Sequence, residues 1–460
     1  MSPETKMKEF SVAELARIIK AESLNAKRRT LNAIIAGVSI DSRATQPGDC
    51  FFAIKGENSD GHDYVADAFA KGAACAVVGK DTQLTHGTLL IVPDTIKALG
   101  DFARQYRRQM NFKVVAITGS VGKTTTRQIA YHVLSRRFRV VQAPKNFNNN
   151  IGLPLTLLGA DPEDEIVVAE LGSNHPGEIA YLTRIAQPDI AVVTNVYPAH
   201  LAGLRNLKTI TQEKLSISEG LRSDGILIVN ADIVNRATNH RIVTFGTSVE
   251  CDIQAKDTTY DQFGSRFTID GTEVWLPLPG RGNLENALAA WAVCSRLGIN
   301  IDDFARDVKT LLPVPMRTEL LQIGTLTVLN DCYNANPASM KNALDILANI
   351  GSAEKRRLVF ICGDMAELGP QDRKLHAELG ASVAQARVRL LLAVGEFAQI
   401  TAEAAKQNAI SDLQAKCFKD TASVCNNLIK FVKEDDIILV KGSRVAKLEM
   451  AVEKLKELFL

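Results

Sequence analysis

Lys113-Val-Val-Ala-Ile-Thr-Gly-Ser-Val-Gly-Lys-Thr124 decides how this chain is read. Its first six residues form a short apolar run with β-branched side chains, the pattern of a buried strand. A glycine turn follows at once, and the residues from Lys123 to about Arg137 have helical periodicity. Gly119, Ser120, Val121 and Gly122 therefore join a strand end to a helix start. Backbone N–H groups in such a loop curl round phosphate oxygens, and the helix N-terminus adds positive potential. Lys123 is placed to reach the β- and γ-phosphates, and the Thr124 hydroxyl, with Thr125 beside it, to hold Mg²⁺. The loop is two residues shorter than the usual Gly-x-x-x-x-Gly-Lys-Ser/Thr form, because Ile117 stands where the first glycine would be.

Outward from this stretch, strand-like runs recur at 139–143, 165–170, 189–195 and 225–230 with helical patterns between several of them. That alternation implies a parallel sheet covered by helices. Residues 252–278 alternate differently and read as antiparallel strands added to this unit. Leu312-Pro-Val-Pro315 is the linker, since two prolines interrupt helix and sheet alike. Beyond it, strands at 326–331, 357–363, 388–395 and 436–441 alternate with helices and lack the Gly-x-Gly-x-x-Gly dinucleotide fingerprint. The chain thus divides into a small α/β N-terminal domain (1–110), a central phosphate-loop ATPase-type parallel sheet (111–314) and a C-terminal Rossmann-like α/β domain (315–460).

Composition narrows the class. The 460 residues exceed what one core holds, and 46% hydrophobic with 23% charged residues is the balance of a soluble globular protein. Net charge is +2, from 54 basic and 52 acidic side chains, which argues against a nucleic-acid partner. The basic runs Lys27-Arg28-Arg29, Arg136-Arg137 and Lys355-Arg356-Arg357 read as solvated surface. The eight cysteines form no Cys-x-x-Cys pair and suit reduced core thiols rather than zinc or disulfides. No apolar stretch reaches the ~18 residues of a membrane span, so a cytoplasmic protein is expected.

Glu170 stands at the C-terminal end of its strand, where ligands of open α/β sheets gather, and can bind a metal beside the phosphates. The next strand delivers Asn195, with His200 shortly after, a second candidate metal ligand. His175, His62 and His376, taken alone, read as structural histidines. Lys214, in a helical pattern over 209–221, reads on its own as an exposed helix lysine.

With these residues in view, the chain resembles the Mur ligases nearly end to end. Thr118-Gly-Ser-Val-Gly-Lys-Thr-Thr-Thr126 is similar to that family's short phosphate loop, and Asn146-Phe-Asn-Asn-Asn-Ile-Gly152, which contains Asn149, to its asparagine-rich turn. Glu170, His175-Pro-Gly-Glu178 and Pro198-Ala-His200 resemble its metal-binding segments. Lys214 falls where the family carries a lysine carbamylated by CO₂. The resemblance implies catalytic roles for Lys123, Glu170, His200 and Lys214, with Thr124, Glu170, His200 and carbamylated Lys214 holding two Mg²⁺ ions. Asn283 and Asn286 match the nucleotide-binding asparagines, although Gly282 replaces the usual histidine and Ser216 a common glutamate. Arg317 and Asp331 resemble the pair the last domain contributes to ATP.

Ser42, Arg43, Lys55, Asp60 and His62 resemble the first domain's grip on a UDP-sugar, and Lys441-Gly-Ser-Arg444 a segment near the family's C-terminus. Tyr333, Asn334 and Asn336, within Asp331-Cys-Tyr-Asn-Ala-Asn-Pro337, and Gly363-Asp-Met-Ala-Glu-Leu-Gly369 look like the dipeptide-adding branch. The implied substrates are ATP, UDP-N-acetylmuramoyl-tripeptide and D-alanyl-D-alanine, joined through an acyl phosphate by a monomer. A sister ligase on the same scaffold and a phosphate-loop nucleotide switch are the competing readings.

Overall fold

The computed structural model describes residues 7–24, 31–79, 87–144, 146–233, 240–247, 250–410 and 412–460; the basic run 27–29 lies outside them. The stretch from Lys113 folds as read: strand Lys113–Thr118 leads through the glycine loop into helix Lys123–Leu134. This strand is near the centre of a seven-stranded sheet. From one edge the order is Ile253–Gln254, Arg241–Gly246, Ile226–Asn230, Ile190–Val193, Lys113–Thr118, Ile166–Glu170 and Val140–Gln142. Every neighbouring pair is parallel. The chain leaves its first strand to one side and returns to the other, so the ends at 118, 170 and 193 converge on one crevice, the place where such sheets bind ligands.

Side-chain alternation explains why this sheet is covered on both faces. Val114 and Ala116 pack with Leu99, Phe102, Leu153 and Ile179 of one helical layer. Val115 and Ile117 pack with Ile129, Val133 and Leu284 of the other. The first layer includes helix Thr95–Gln109, whose Asp94 side chain accepts from the Lys97 N–H at 2.9 Å and so caps its open N-terminus.

The reading of 252–278 as wholly antiparallel needs correction. Ile253–Gln254 joins the edge of the parallel sheet, and only Lys256–Tyr260, Ser265–Ile269 and Thr272–Leu276 form an antiparallel sheet of their own. Two residues are too few to show a period, and the partner Phe245-Gly246 decides the pairing. The helix expected over 209–221 is also shorter: α-helix Leu207–Leu215 tightens into a 3-10 turn over Ser216–Gly220.

The N-terminal sheet has five strands, ordered Glu22–Leu24, Leu89–Val92, Cys75–Gly79, Asp49–Phe52 and Gly37–Ser39, the last four mutually parallel. The C-terminal sheet has six: Glu319–Ile323, Leu326–Asn330, Ile437–Lys441, Leu358–Gly363, Leu390–Val394 and Gln414–Phe418. Only its first strand runs antiparallel, in a hairpin with the second. Between the central and last sheets the proline linker ends in two left-handed, non-glycine residues, Met316 (φ 62°) and Thr318 (φ 48°). Among the described residues, no helix is long and apolar enough to cross a membrane.

Candidate active site

The phosphate loop is held open from behind. Asn195 accepts the Val121 N–H at 2.9 Å and donates to the Val121 carbonyl at 3.0 Å. Thr194 donates to that same carbonyl at 2.7 Å, and Ser120 donates to the Tyr197 carbonyl at 2.8 Å. These bonds fix the loop from a neighbouring strand end, so an empty cradle does not have to be ordered when phosphate arrives. Gly122 has φ 82°, and a Cβ there would lie 2.0 Å from Asn286 Oδ1, so both the turn and the neighbouring helix demand glycine.

Lys123 lies half-buried at the helix start, its Nζ donating to the Gly119 carbonyl at 2.8 Å. Enclosure by protein holds its ammonium below the usual lysine value; Glu170 opposes that shift and the Arg317 charge adds to it. Thr124 donates to Glu170 Oε2 at 2.9 Å, while Asn148 donates to Glu170 Oε1 at 3.1 Å. Arg127 lies 3.9 Å from the same carboxylate. Glu170, 3% exposed, thus meets the loop's helix through Oε2 and the asparagine-rich turn through Oε1.

The opposite wall comes from the last sheet. Arg317 stacks over the Tyr333 ring with 4.2 Å between guanidinium and ring centre. Asp331 accepts the Thr318 N–H at 3.0 Å and the buried Lys441 ammonium at 2.6 Å. Lys441 also donates to the Asn334 carbonyl at 3.0 Å, so one cation fixes both ends of the 331–334 turn. Asn336 caps helix Pro337–Glu354. On the central side, Asn283 donates to Thr318 at 3.1 Å, and Thr126 donates to Asn286 at 3.3 Å. Gly282 donates its N–H to Asn342 Oδ1 at 3.2 Å, and a Cβ at 282 would meet that oxygen at 2.8 Å. The space a side chain at 282 would need is occupied by a carboxamide from the last domain.

These groups line one cleft of about 1770 Å³ that includes Lys123, Thr124, Glu170, His200, Asn283, Asn286, Arg317, Asp331, Tyr333, Asn334 and Asn336. Asn149 also lines it, its carboxamide capping the N–H groups of Ile151 and Gly152. Lys214 is not an exposed helix lysine: it is 1% exposed, and its Nζ donates to Ser173 at 2.8 Å. Burial, with the Lys123 charge adding to it, brings its pKa down to about 7. Glu213 beside it caps helix Glu178–Ala186, accepting the Gly177 and Ile179 N–H groups at 2.7 and 2.8 Å.

The expected metal set is only partly assembled. Thr124 and Glu170 meet, but His200 pairs with Glu367 of the last domain and Lys214 with Ser173. Among the described residues no three His, Cys, Asp or Glu side chains group around a possible ion. An oxygen pair beside a phosphate loop still suits Mg²⁺, which takes one or two protein ligands and completes its shell with phosphate and water. An ammonium at Lys214 could not join such a shell.

Ser42, Arg43, Lys55, Asp60 and His62 do not line the cleft. They follow strand ends of the N-terminal sheet, where Arg43 binds Asp41 through Nε and Nη2 at 3.0 and 2.8 Å. His62 is engaged at both nitrogens, with Asp60 at 2.6 Å and the Gly79 N–H at 2.8 Å. Sequence reading missed Asn342 and the roles of Asn148, Ser173 and Lys441. Asn148 carried a signal inside the asparagine-rich turn, and Lys441 one in the segment Lys441-Gly-Ser-Arg444.

Comparison with known proteins gives this geometry a family. Residues 34–117 match the model described as Mur ligase family, catalytic domain, residues 117–294 the Mur ligase middle domain, and residues 316–444 the Mur ligase glutamate ligase domain. The UDP-N-acetylmuramoyl-tripeptide–D-alanyl-D-alanine ligase of Bacillus subtilis is 34% identical over 458 residues, covering 97% of this chain and 98% of that protein. The Escherichia coli enzyme of the same name is 34% identical, covering 94% and 96%. A crystal structure of MurF from Acinetobacter baumannii superposes with a TM-score of 0.88 at 30% identity, covering 98% of this chain and all (100%) of that one. MurF from Thermotoga maritima, solved with ADP, gives 0.79 at 26% identity, covering 92% and 97%.

Proposed function

The chain belongs to the Mur ligase family, and we propose that it joins D-alanyl-D-alanine to UDP-N-acetylmuramoyl-tripeptide with cleavage of ATP. It does so as a single chain in the cytoplasm, producing the pentapeptide precursor of peptidoglycan. Residues 1–110 hold the UDP-sugar through Ser42, Arg43, Lys55, Asp60 and His62. Residues 111–314 hold ATP, and residues 315–460 close on ATP and take the dipeptide.

A carboxylate does not react with an amine at neutral pH, because oxide would have to leave. A carboxylate oxygen of the tripeptide attacks the γ-phosphorus, the bond to the β-phosphate oxygen breaks, and ADP departs. The acyl phosphate so formed is attacked by the free amine of the dipeptide; the tetrahedral adduct collapses to the amide, phosphate leaves and the amine's proton passes to solvent. The chain's own part is alignment and charge neutralisation, as in other phosphoryl transfers. The N–H groups of Gly122, Lys123, Thr124 and Thr125 at the loop's end and the helix start cradle the phosphates, Lys123 faces the β- and γ-phosphates, and Arg317 approaches from the other wall.

Thr124 and Glu170 would hold one Mg²⁺, which when bound neutralises phosphate charge. His200 and Lys214, with Glu170, would hold the second once Lys214 is carbamylated. The Lys214 pKa of about 7 supports that modification, since only the neutral amine takes up CO₂. An ordinary lysine is neutral in only about one molecule in a thousand at pH 7.5.

The observation that carries the reading is the single cleft in which the phosphate loop and Glu170 face Arg317 and Asp331. The test is ADP release with UDP-N-acetylmuramoyl-tripeptide, Mg²⁺-ATP and D-alanyl-D-alanine, each omitted in turn. Release requiring all three, with a product mass raised by the joined dipeptide and activity lost about a hundredfold or more in Lys123→Met, is the expected result. Release indifferent to the dipeptide would move the chain to a nucleotide switch or a sister ligase.

A further inference from the structure

Helix Arg281–Arg296 begins without a cap of its own, because its N-cap residue, Gly280, has no side chain to offer. The capping oxygen comes from the last domain. Asn342, in helix Pro337–Glu354, accepts the Gly282 N–H at 3.2 Å through Oδ1. One turn further along that helix Ile346 stands against Gly280, where a Cβ would meet its Cγ1 at 2.6 Å. Two glycines thus admit one face of the last domain's helix to the start of a central-domain helix, and one of them, Gly282, is the position where the usual residue is histidine.

The cap uses only half of the carboxamide. With Oδ1 turned to Gly282, the Asn342 Nδ2 carries N–H donors that meet no acceptor among the described residues. Asn342 is half-buried and lines the main cleft together with Lys123. Asn283, next to Gly282, is its complement. The Asn283 Nδ2 donates to the Pro279 carbonyl at 2.8 Å and to Thr318 at 3.1 Å, which occupies both donors and leaves Oδ1 as an acceptor. The phosphate end of the cleft is marked by Asn286, whose Oδ1 lies 2.0 Å from where a Cβ at Gly122 would be. Gly282 precedes Asn286 by four residues, on the order of 6 Å back along the helix axis, which is the reach from a phosphate across a ribose to a base.

We infer that Asn342 recognises the nucleobase, its Nδ2 donating to a ring nitrogen of adenine that adjoins the exocyclic amino group. The inference rests on the ATP-dependent reading above and adds to it a specificity residue from the last domain. Adenine presents an amino donor beside a ring acceptor, the pattern that a donor and an acceptor from carboxamides match. Asn342 supplies the donor and Asn283 the acceptor, one from each side of the seam. Because Asn342 arrives with the last domain, the base is read in full only when that domain is in place.

The experiment measures kcat/KM and equilibrium binding for ATP, 1-deaza-ATP, 7-deaza-ATP and 2′-deoxy-ATP in the full-length protein, in Asn342→Asp and in Asn342→Ala. Each deaza nucleotide has C–H in place of one ring nitrogen. Asn342→Asp keeps an oxygen for the Gly282 N–H and loses the donor, so a role in capping alone predicts wild-type selectivity; Asn342→Ala removes both. The wild-type protein should prefer ATP over one of the two deaza nucleotides by about three- to tenfold. In both variants that ratio should fall to one or below, with KM for the UDP-precursor and for the dipeptide unchanged. The charge added by Asp cancels from the ratio, since both triphosphates carry the same charge. An Asn342→Asp protein with the wild-type ratio overturns the inference, as do deaza nucleotides that bind as well as ATP to the wild-type protein. A preference confined to ATP over 2′-deoxy-ATP also overturns it, moving the contact to the ribose. A wild-type protein that binds no ATP overturns the nucleotide reading itself, a separate and recognisable outcome.

Discussion

The two walls of the cleft are built by opposite means. The central wall is backbone: a glycine loop leading into a helix start, pinned by Asn195, Thr194 and Ser120 within one sheet. The last wall depends on side chains: Asp331 and the Asn334 carbonyl are held by a lysine 110 residues from Asp331 in sequence, and Arg317 stacks on Tyr333. A backbone site is set once its strand and helix form. A side-chain site exists only after distant strands have paired, and it can shift with the domain that bears it.

The difference is open to attack, most strongly at Lys441. Lys441→Met removes the buried partner of Asp331 and leaves that carboxylate, 9% exposed, without its ion pair. A loss of about 3–5 kcal/mol in the stability of the last domain is expected, read as a drop in its melting transition. Binding of ATP analogues to the phosphate loop should persist at temperatures where that domain is still folded. Equal loss of nucleotide binding at those temperatures would erase the distinction between the walls.

Lys214 sharpens the comparison from the central side. With a pKa of about 7, its neutral fraction falls about tenfold for each pH unit below 7, whereas above about pH 8 it is nearly all neutral. Carbamate occupancy at fixed dissolved CO₂, read by ¹³C NMR with labelled bicarbonate, should therefore drop between pH 8 and pH 6. Occupancy rising only above pH 9 would mean an unperturbed lysine.

The smallest expected effect is at the seam. Gly282→His must displace Asn342, whose oxygen stands 2.8 Å from the new Cβ. We expect KM for ATP to rise about three- to tenfold, an overpacking penalty of about 1 kcal/mol. Adding Asn342→Gly should recover most of it. Non-recovery would place the damage within the central wall rather than between the two.

The contrast also explains what the sequence disclosed. The loop from Lys113 to Thr124 was legible because strand, glycine turn and helix lie within a few residues of one another. The same holds for the parallel sheets, whose strands are apolar runs buried on both faces. Glu319–Ile323 and Gln414–Phe418 were not read as strands; both are partly exposed and mix polar with apolar residues. Lys214 looked like a surface lysine because nothing near it in sequence reveals Ser173 or the burial around it. Asn342 was invisible for the same reason: its partner, Gly282, lies 60 residues away. The histidine and carbamylated lysine expected to share a metal with Glu170 were legible as a resemblance, yet His200 meets Glu367 and Lys214 meets Ser173 in this arrangement.

Met316 and Thr318, the two left-handed residues on either side of Arg317, have a consequence for chemical intervention. Non-glycine residues in that region carry strain of about 1–2 kcal/mol each, which the bonds from Tyr333 and Asp331 hold in place. A small molecule wedged under Arg317 would meet a latch already under tension and needing little added force to spring. An inhibitor aimed there would gain selectivity that one resting on the phosphate loop, a shape shared by many nucleotide-binding proteins, would lack.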